Sequence, residues 1–462
     1  MTDTALLAYG DRQYTRAELD SLTSGMATIL EQRGVRSGDR VALMSSNRPE
    51  FVVAMQAIWR LGAAVVLLST SWKRAEVDHA LALTAPSHAV GDSPVLAEAM
   101  PMLDLDSPVT PGRREFDAPA PESDALFVFS SGTTGMPKAV RHTHGGFAAA
   151  VAHWRAALGL TPNDRMQILT PPSHILGLLN IATAFDAGAW IRLHPRFDVD
   201  TMLRHIEADR ITIEMAVAPI ALALAAHPRL EDHDLSSLRY VVWCATPVTR
   251  SVADEVTRRA GVTWVTAYGA SELPVITCNV LDGADLDTVG RAVPGVRLRI
   301  TSSETGEPVP IGEDGEIQVS SPSVMAGYLP DDATASAFDD GWYRTGDVGH
   351  LDADGWLRIT DRSKEMIKVR GFQVAPAEVE AVLHGHPAVA DCAVFGVPDP
   401  VSGEAVVAAV SRCGAVESDE LIGLVADRLA SYKRPSRVAF VEEIPRLPSG
   451  KVLRRVLKER VI

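Results

Sequence analysis

The first hundred residues change repeatedly between two hydrophobic periods. Thr15-Arg16-Ala17-Glu18 has the form of a capping box, and Leu19, Leu22, Met26 and Leu30 then recur at three- to four-residue spacing until Gly34. That pattern predicts a helix with one buried stripe. Val41–Met44 is a short continuous apolar run, helical spacing returns from Glu50 to Leu61, and Ala63–Leu68 is again continuously apolar but for its neighbouring Gly62. Strand-like runs alternating with helices at this spacing predict parallel sheets covered by helices. Ser107–Ser123, rich in Pro, Asp and Glu, reads as a surface connection.

From about Arg291 to Ile359 the texture becomes short strands, such as Val296–Ile300 and Gly315–Val319, separated by Gly, Pro and Asp turns. A small β-rich subdomain is expected there. After Asp361 the pattern predicts a compact α+β unit. Its elements are a helix near Pro376–Leu383, strands near Asp391–Phe395 and Ala405–Val410, a helix from about Ser418 to Ala430, and a last strand near Arg437–Val441. The boundary is placed at Asp361–Lys364, giving an α/β fold with a large domain over 1–360 (β-rich subdomain about 291–360) and a small α+β domain over 361–462.

A chain of 462 residues exceeds the size at which one core keeps growing, which agrees with two domains. The formal net charge of -15 argues against nucleic acid as a partner, because phosphate binding needs basic surface. The four cysteines, Cys244, Cys278, Cys392 and Cys413, have no metal-like spacing and read as reduced thiols. No signal peptide is indicated at the N-terminus, and no apolar run approaches the ~20 residues of a membrane span. A soluble, cytoplasmic protein is expected.

The sharpest chemical signal is Phe127-Val128-Phe129-Ser130-Ser131-Gly132-Thr133-Thr134-Gly135-Met136-Pro137-Lys138. An apolar strand enters a loop of hydroxyls and glycines closed by Pro and Lys. Glycines let backbone N–H groups turn toward phosphate oxygens, hydroxyls donate further bonds, and the lysine adds charge. The spacing is not that of the P-loop NTPases.

The segment resembles the signature of the adenylate-forming superfamily, which includes acyl- and aryl-CoA ligases, firefly luciferase and peptide-synthetase adenylation domains. Four further motifs follow in the family's order. Tyr268-Gly269-Ala270-Ser271-Glu272 resembles YGxTE, and Trp342-Tyr343-Arg344-Thr345-Gly346-Asp347 resembles (W/Y)xxTGD. The run from Asp361 through Arg362 and Lys364 to Val374 is similar to the DRxKExIKxxGFQV of coumarate–CoA-ligase-like enzymes. Pro448-Ser449-Gly450-Lys451 matches PxGK.

The resemblance implies an enzyme that activates a carboxylic acid with ATP as an acyl-adenylate, releases pyrophosphate, and transfers the acyl group to coenzyme A with release of AMP. It implies ATP or AMP contacts at Ser130, Ser131, Gly132, Thr133, Thr134, Gly135, Lys138, Tyr268, Gly269, Ser271, Asp347 and Arg362. Mg²⁺ would be held by Glu272 and Thr133, since this ion commonly takes only one or two protein ligands beside phosphate and water. Lys451 would bridge carboxylate and α-phosphate during adenylation. The small domain would then rotate about Lys364 and present Lys368, Arg370, Gly371 and Gln373 to the adenylate and coenzyme A. His174, in Pro171-Pro172-Ser173-His174-Ile175-Leu176, matches a segment beside the acyl pocket. Ile175, Leu176, Trp243, Cys244 and Ala267 are expected to line that pocket.

Three departures bear on substrate and assembly. No Asp stands in the His174 segment to hold an amine, which disfavours amino-acid activation. Trp243-Cys244-Ala245-Thr246-Pro247 replaces the usual Ser-Gly-Ala-Ala-Pro, and Ala267 stands where Gly often precedes the Tyr. With no Lys or Arg among these positions a diacid is disfavoured, and with Cys244 and Ala267 filling space where relatives often have glycine, short- to medium-chain fatty acids or compact aromatic acids are expected. The chain also starts late relative to the family, so a homodimer is compatible with the resemblance but its usual contacts stay open. The alternatives are a ligase loading a separate acyl carrier protein and a non-enzymatic acyl or nucleotide sensor.

Overall fold

The computed structural model describes residues 5–461 other than 131–136, 247, 282, 303–304, 363–364, 370–371, 400–402, 430 and 447–451; for 361, 362, 368, 372, 373 and 403 it describes the backbone alone. The first helix runs from Arg16 to Gln32, and both halves of its capping box form: Glu18 N–H donates to the Thr15 hydroxyl at 3.2 Å and Thr15 N–H to the Glu18 carboxylate at 2.8 Å. Leu19, Met26 and Leu30 are buried as the period requires. The Arg60–Asp20 ion pair, 2.8 Å, ties this helix to the next, Pro49–Arg60.

Among the described residues the strands form four sheets, of nine, seven, five and five strands. The seven-stranded sheet places Arg40–Met44 and Ala64–Leu67 side by side and parallel, followed by Asp124–Ser130. These apolar runs are continuous because helices cover both faces of the strands. Lys138–Thr143 then turns back antiparallel on Asp124–Ser130, and Gly327–Leu329 adds an edge strand to it. In the nine-stranded sheet Arg165–Ile168, Ile213–Ala216, Tyr240–Trp243 and Trp264–Tyr268 run parallel to one another, and Thr277–Cys278 pairs antiparallel with the last.

The connection over Ser107–Ser123 holds no helix or strand, but it does more than cross the surface. It is strapped to the first helix: Gly112 N–H donates to the Ser21 carbonyl at 2.8 Å, and the Ser24 hydroxyl donates to the Arg114 carbonyl at 3.0 Å.

The third sheet carries Arg297–Thr301, Gly315–Ser320 and Trp342–Leu351, the last paired with Leu357–Arg362. The fourth begins at Ile367 and has a hydrophobic core of its own around Val379, Leu383, Val394, Val410, Leu421 and Val425. Its two longest strands, Val389–Asp399 and Gly403–Arg412, extend well beyond the apolar stretches that predict them, because ten residue pairs hold them together in an antiparallel ladder. Among the described residues no helix is long and apolar enough to cross a membrane.

Candidate active site

The hairpin of Asp124–Ser130 and Lys138–Thr143 closes on the pair Ser130–Lys138, the two residues that flank the glycine-hydroxyl segment in sequence. Ser131, Gly132, Thr133, Thr134 and Gly135 lie outside the described residues. The end of the loop is held by His79, whose Nε2 is 2.9 Å from the Pro137 carbonyl oxygen. The Lys138 ammonium lies 5.4 Å from the centroid of the Tyr328 ring.

Tyr268 ends its strand and begins a tight turn. Ala270 and Leu273 exchange backbone hydrogen bonds at 2.9 and 3.2 Å, and Ile276 N–H returns to the Tyr268 carbonyl at 2.9 Å. Gly269 is required here, since a Cβ would stand 2.2 Å from the Pro274 carbonyl oxygen. The turn projects Ser271 and Glu272 toward the Lys138 strand. His142 on that strand bonds the Ser271 carbonyl through Nε2 at 2.7 Å. Burial drives the His142 pKa down to about 4, so the ring stays neutral and its Nε2 carries the proton that this bond needs. Met325 N–H takes the Glu272 carbonyl at 2.7 Å, and the Tyr328 hydroxyl donates to Glu272 Oε1 at 2.8 Å.

Asp347 is buried and accepts a hydrogen bond from the Tyr268 hydroxyl at 2.5 Å. Its carboxylate therefore lies at the hydroxyl end of the Tyr268 ring. The sheet register sets Arg362 directly opposite Asp347. In the next sheet Lys368 and Gln373 are paired across the hairpin Ile367–Val369/Phe372–Val374, so two positions separated by five in sequence share one rung. Lys364, Arg370, Gly371 and Lys451 lie outside the described residues.

His174 caps the helix Ile175–Ala187, its Nδ1 accepting from Leu176 N–H at 3.3 Å. Desolvation lowers its pKa to about 4, so it is a neutral hydrogen-bonding group rather than a cation. Ile175 is buried at the head of that helix and Leu176 packs partly buried against the core.

Of the remaining pocket positions, Cys244 and Ala267 come together and Trp243 stands apart. Side chains alternate along a strand, so Trp243 shares a face with Trp264, and their rings meet at 5.4 Å. The Trp264 indole in turn donates to the Ala253 carbonyl of the helix Arg250–Ala260, which fixes that face as the one under this helix. Cys244 and Ala267 belong to the opposite face, where Cys278, cross-strand partner of Ala267, joins them. Burial pushes both thiols up to about 12, so they behave as small apolar groups at neutral pH.

No three His, Cys, Asp or Glu side chains among the described residues cluster as a self-sufficient metal site. A single carboxylate suits a Mg²⁺ ion that takes its other oxygens from phosphates and water. Glu272 fits: Tyr328 occupies Oε1, and no described residue bonds Oε2.

Residues 1–329 match the family described as AMP-binding enzyme, and residues 378–451 match the AMP-binding enzyme C-terminal domain. The chain belongs to the AMP-binding enzyme family. It is 36% identical over 473 residues to a feruloyl-CoA synthase of Amycolatopsis sp, covering 98% of this chain and 95% of that protein. It is 33% identical to 4-coumarate–CoA ligase 2 of Nicotiana tabacum, covering 97% and 89%. The fold superposes on the crystal structure of ATP-bound MatB from Rhodopseudomonas palustris with a TM-score of 0.93, at 28% identity over 99% of this chain and 96% of that one. As a member of this family the chain is an AMP-forming acid–CoA ligase that uses ATP and coenzyme A, works through an acyl-adenylate and acts on a small carboxylic acid.

Tyr328 and His142 escape a reading of the sequence. Tyr328 sits in Gly327-Tyr328-Leu329, which has the composition of any short edge strand, and His142 is one polar residue in an alternating strand.

Proposed function

We propose that the acid is a compact aromatic carboxylate of the arylpropenoate or arylcarboxylate type. The observation that carries this reading is the small apolar face made by Cys244 and Ala267, backed by Cys278, where relatives often have glycine. Such a face favours a flat ring over a long flexible chain. None of the predicted pocket residues is Lys or Arg, so a second carboxylate there would lose its hydration without a partner, at a cost of several kcal/mol. The names of the relatives, a feruloyl-CoA synthase and a 4-coumarate–CoA ligase, support the same class.

In the proposed mechanism the loop after Ser130 and the Lys138 ammonium receive the phosphates, Tyr268 flanks the adenine, and Asp347 with Arg362 takes the ribose. Bound Mg²⁺ would neutralise phosphate oxygens, and Glu272 with Thr133 would hold it. The substrate carboxylate attacks the α-phosphorus: an acyl C–O–P linkage forms and the bond to pyrophosphate breaks. Lys451 would stabilise the charge that builds between carboxylate and phosphate, with the domain 361–462 closed over the domain 1–360. Rotation near Lys364 would then bring Lys368, Arg370, Gly371 and Gln373 to the adenylate. The coenzyme A thiolate attacks the acyl carbon and AMP leaves.

The test is CoA-dependent AMP release across cinnamic, benzoic and straight-chain acids from two to sixteen carbons. Cinnamates or benzoates should give the highest kcat/KM. A steady rise with chain length to palmitate, or acyl transfer to carrier protein in place of coenzyme A, would overturn the reading.

A further inference from the structure

The Ser271–Glu272 dipeptide is clamped from one platform, the paired strands Lys138–Thr143 and Gly327–Leu329 with the residue chain leading into the latter. His142 holds the Ser271 carbonyl, Met325 the Glu272 carbonyl, and Tyr328 the Glu272 carboxylate. The first two fix the backbone. Only the third acts on the group that would meet a metal.

We propose that Tyr328 is a positioning residue that aims the Glu272 carboxylate at the metal and keeps Lys138 apart from it. The proposal rests on the reading of Glu272 as the Mg²⁺ carboxylate. A phenol has one proton to donate, and here it goes to Oε1, leaving Oε2 for a cation. Tyr343 is buried, and its hydroxyl interacts with that of Tyr328. The Tyr328 ring holds the Lys138 ammonium near it at 5.4 Å, and Lys138 and Glu272 form no ion pair in the structure. The aromatic ring thus offers the cation an alternative to collapse onto the carboxylate, which would cancel the two charges needed for phosphate and metal.

The experiment measures binding without turnover: Mn²⁺ uptake by the enzyme–ATP complex, followed by electron paramagnetic resonance with no acid present. Tyr328→Phe keeps the ring and removes the hydroxyl. Loss of one hydrogen bond to a charged group should weaken Mn²⁺ uptake on the order of tenfold. The KM for the acid and the melting temperature should stay close to wild type, as a purely structural tyrosine would not allow. Glu272→Gln is the reference, and the double variant should bind Mn²⁺ no more weakly than Glu272→Gln alone. If Glu272→Gln leaves Mn²⁺ unaffected, the assignment of Glu272 fails. If Glu272→Gln weakens binding and Tyr328→Phe does not, the role of Tyr328 fails by itself. Should Tyr328→Phe not fold, Tyr343→Phe removes only the neighbouring hydroxyl and should give a smaller loss of the same sign; unchanged Mn²⁺ binding there overturns the role of Tyr328.

Discussion

The Tyr268 hydroxyl donates to the Asp347 carboxylate at 2.5 Å, joining the end of a strand in the nine-stranded sheet to a strand of the β-rich third sheet. A buried carboxylate needs such donors, and this one also sets its angle toward the ring that would stack on adenine. Tyr268→Phe keeps the stacking face and removes the donor. A hydrogen bond to a charged group contributes about 1.5–3 kcal/mol, so the KM for ATP should rise by on the order of tenfold or more. The KM for the acid should move little. An unchanged ATP KM would mean that Asp347 is oriented by other groups.

Lys451 and Lys364 test the division of labour between the half-reactions. Lys451→Ala should reduce adenylate formation by on the order of 10²–10³, the usual loss for one preorganised charge-stabilising donor. Thioester formation from synthetic acyl-adenylate should be largely retained. Lys364→Pro should do the reverse, because proline holds φ near −65° where rotation is required. Stopped-flow measurement of each half-reaction reads both, and equal losses in the two steps would contradict the assignment.

In the proposed reading, Cys244 and Ala267 limit the size of the acyl pocket. Cys244→Gly and Ala267→Gly should admit bulkier ring substituents and longer straight chains, each added methylene that fits contributing about 0.8 kcal/mol. Trp243→Phe should change selectivity little, since that ring packs on Trp264 on the other face of the sheet. It should lower the melting temperature instead. A selectivity change for Trp243→Phe as large as for Cys244→Gly would place Trp243 in the pocket after all.

Stability should pass through a maximum near pH 6.5. His142, His174 and His194 are held at about 4 against an ordinary 6.5, mainly by burial. Between those values the unfolded chain binds protons that the fold refuses, so stability rises with pH across that window. Glu214, buried with Gln167 Nε2 at 2.6 Å, is held up at about 8 against 4.5. Its contribution is complete below 4.5 and is lost as pH rises to 8, because the unfolded chain ionises first. Three imidazoles outweigh one carboxyl below 6.5, and the carboxyl acts alone above it. Urea midpoints at about pH 5, 6.5 and 8 should therefore rise and then fall, and Glu214→Gln should flatten the upper limb. A midpoint still rising to pH 8 in the unmodified protein would contradict the Glu214 account.

Much of this protein was determined within short stretches of chain. The capping box at Thr15–Glu18, the apolar runs at Val41–Met44 and Ala63–Leu68 and the Tyr268–Glu272 turn are each specified by neighbours within a few residues. Local hydrogen bonds and the periods of helix and strand act over that range, so the pieces were legible along with the family motifs. Assembly between sheets was not. His142 meets Ser271 from 129 residues away, Asp347 meets Tyr268 from 79, and Tyr328 meets Glu272 from 56. Which face of its sheet a residue takes is equally remote: Trp243 and Cys244 are adjacent in sequence and both buried in the core, yet one packs on Trp264 under a helix and the other lies on the opposite face with Ala267. Those outcomes depend on how whole sheets and helices pack, and the periodicity of one strand holds no information about what lies across it.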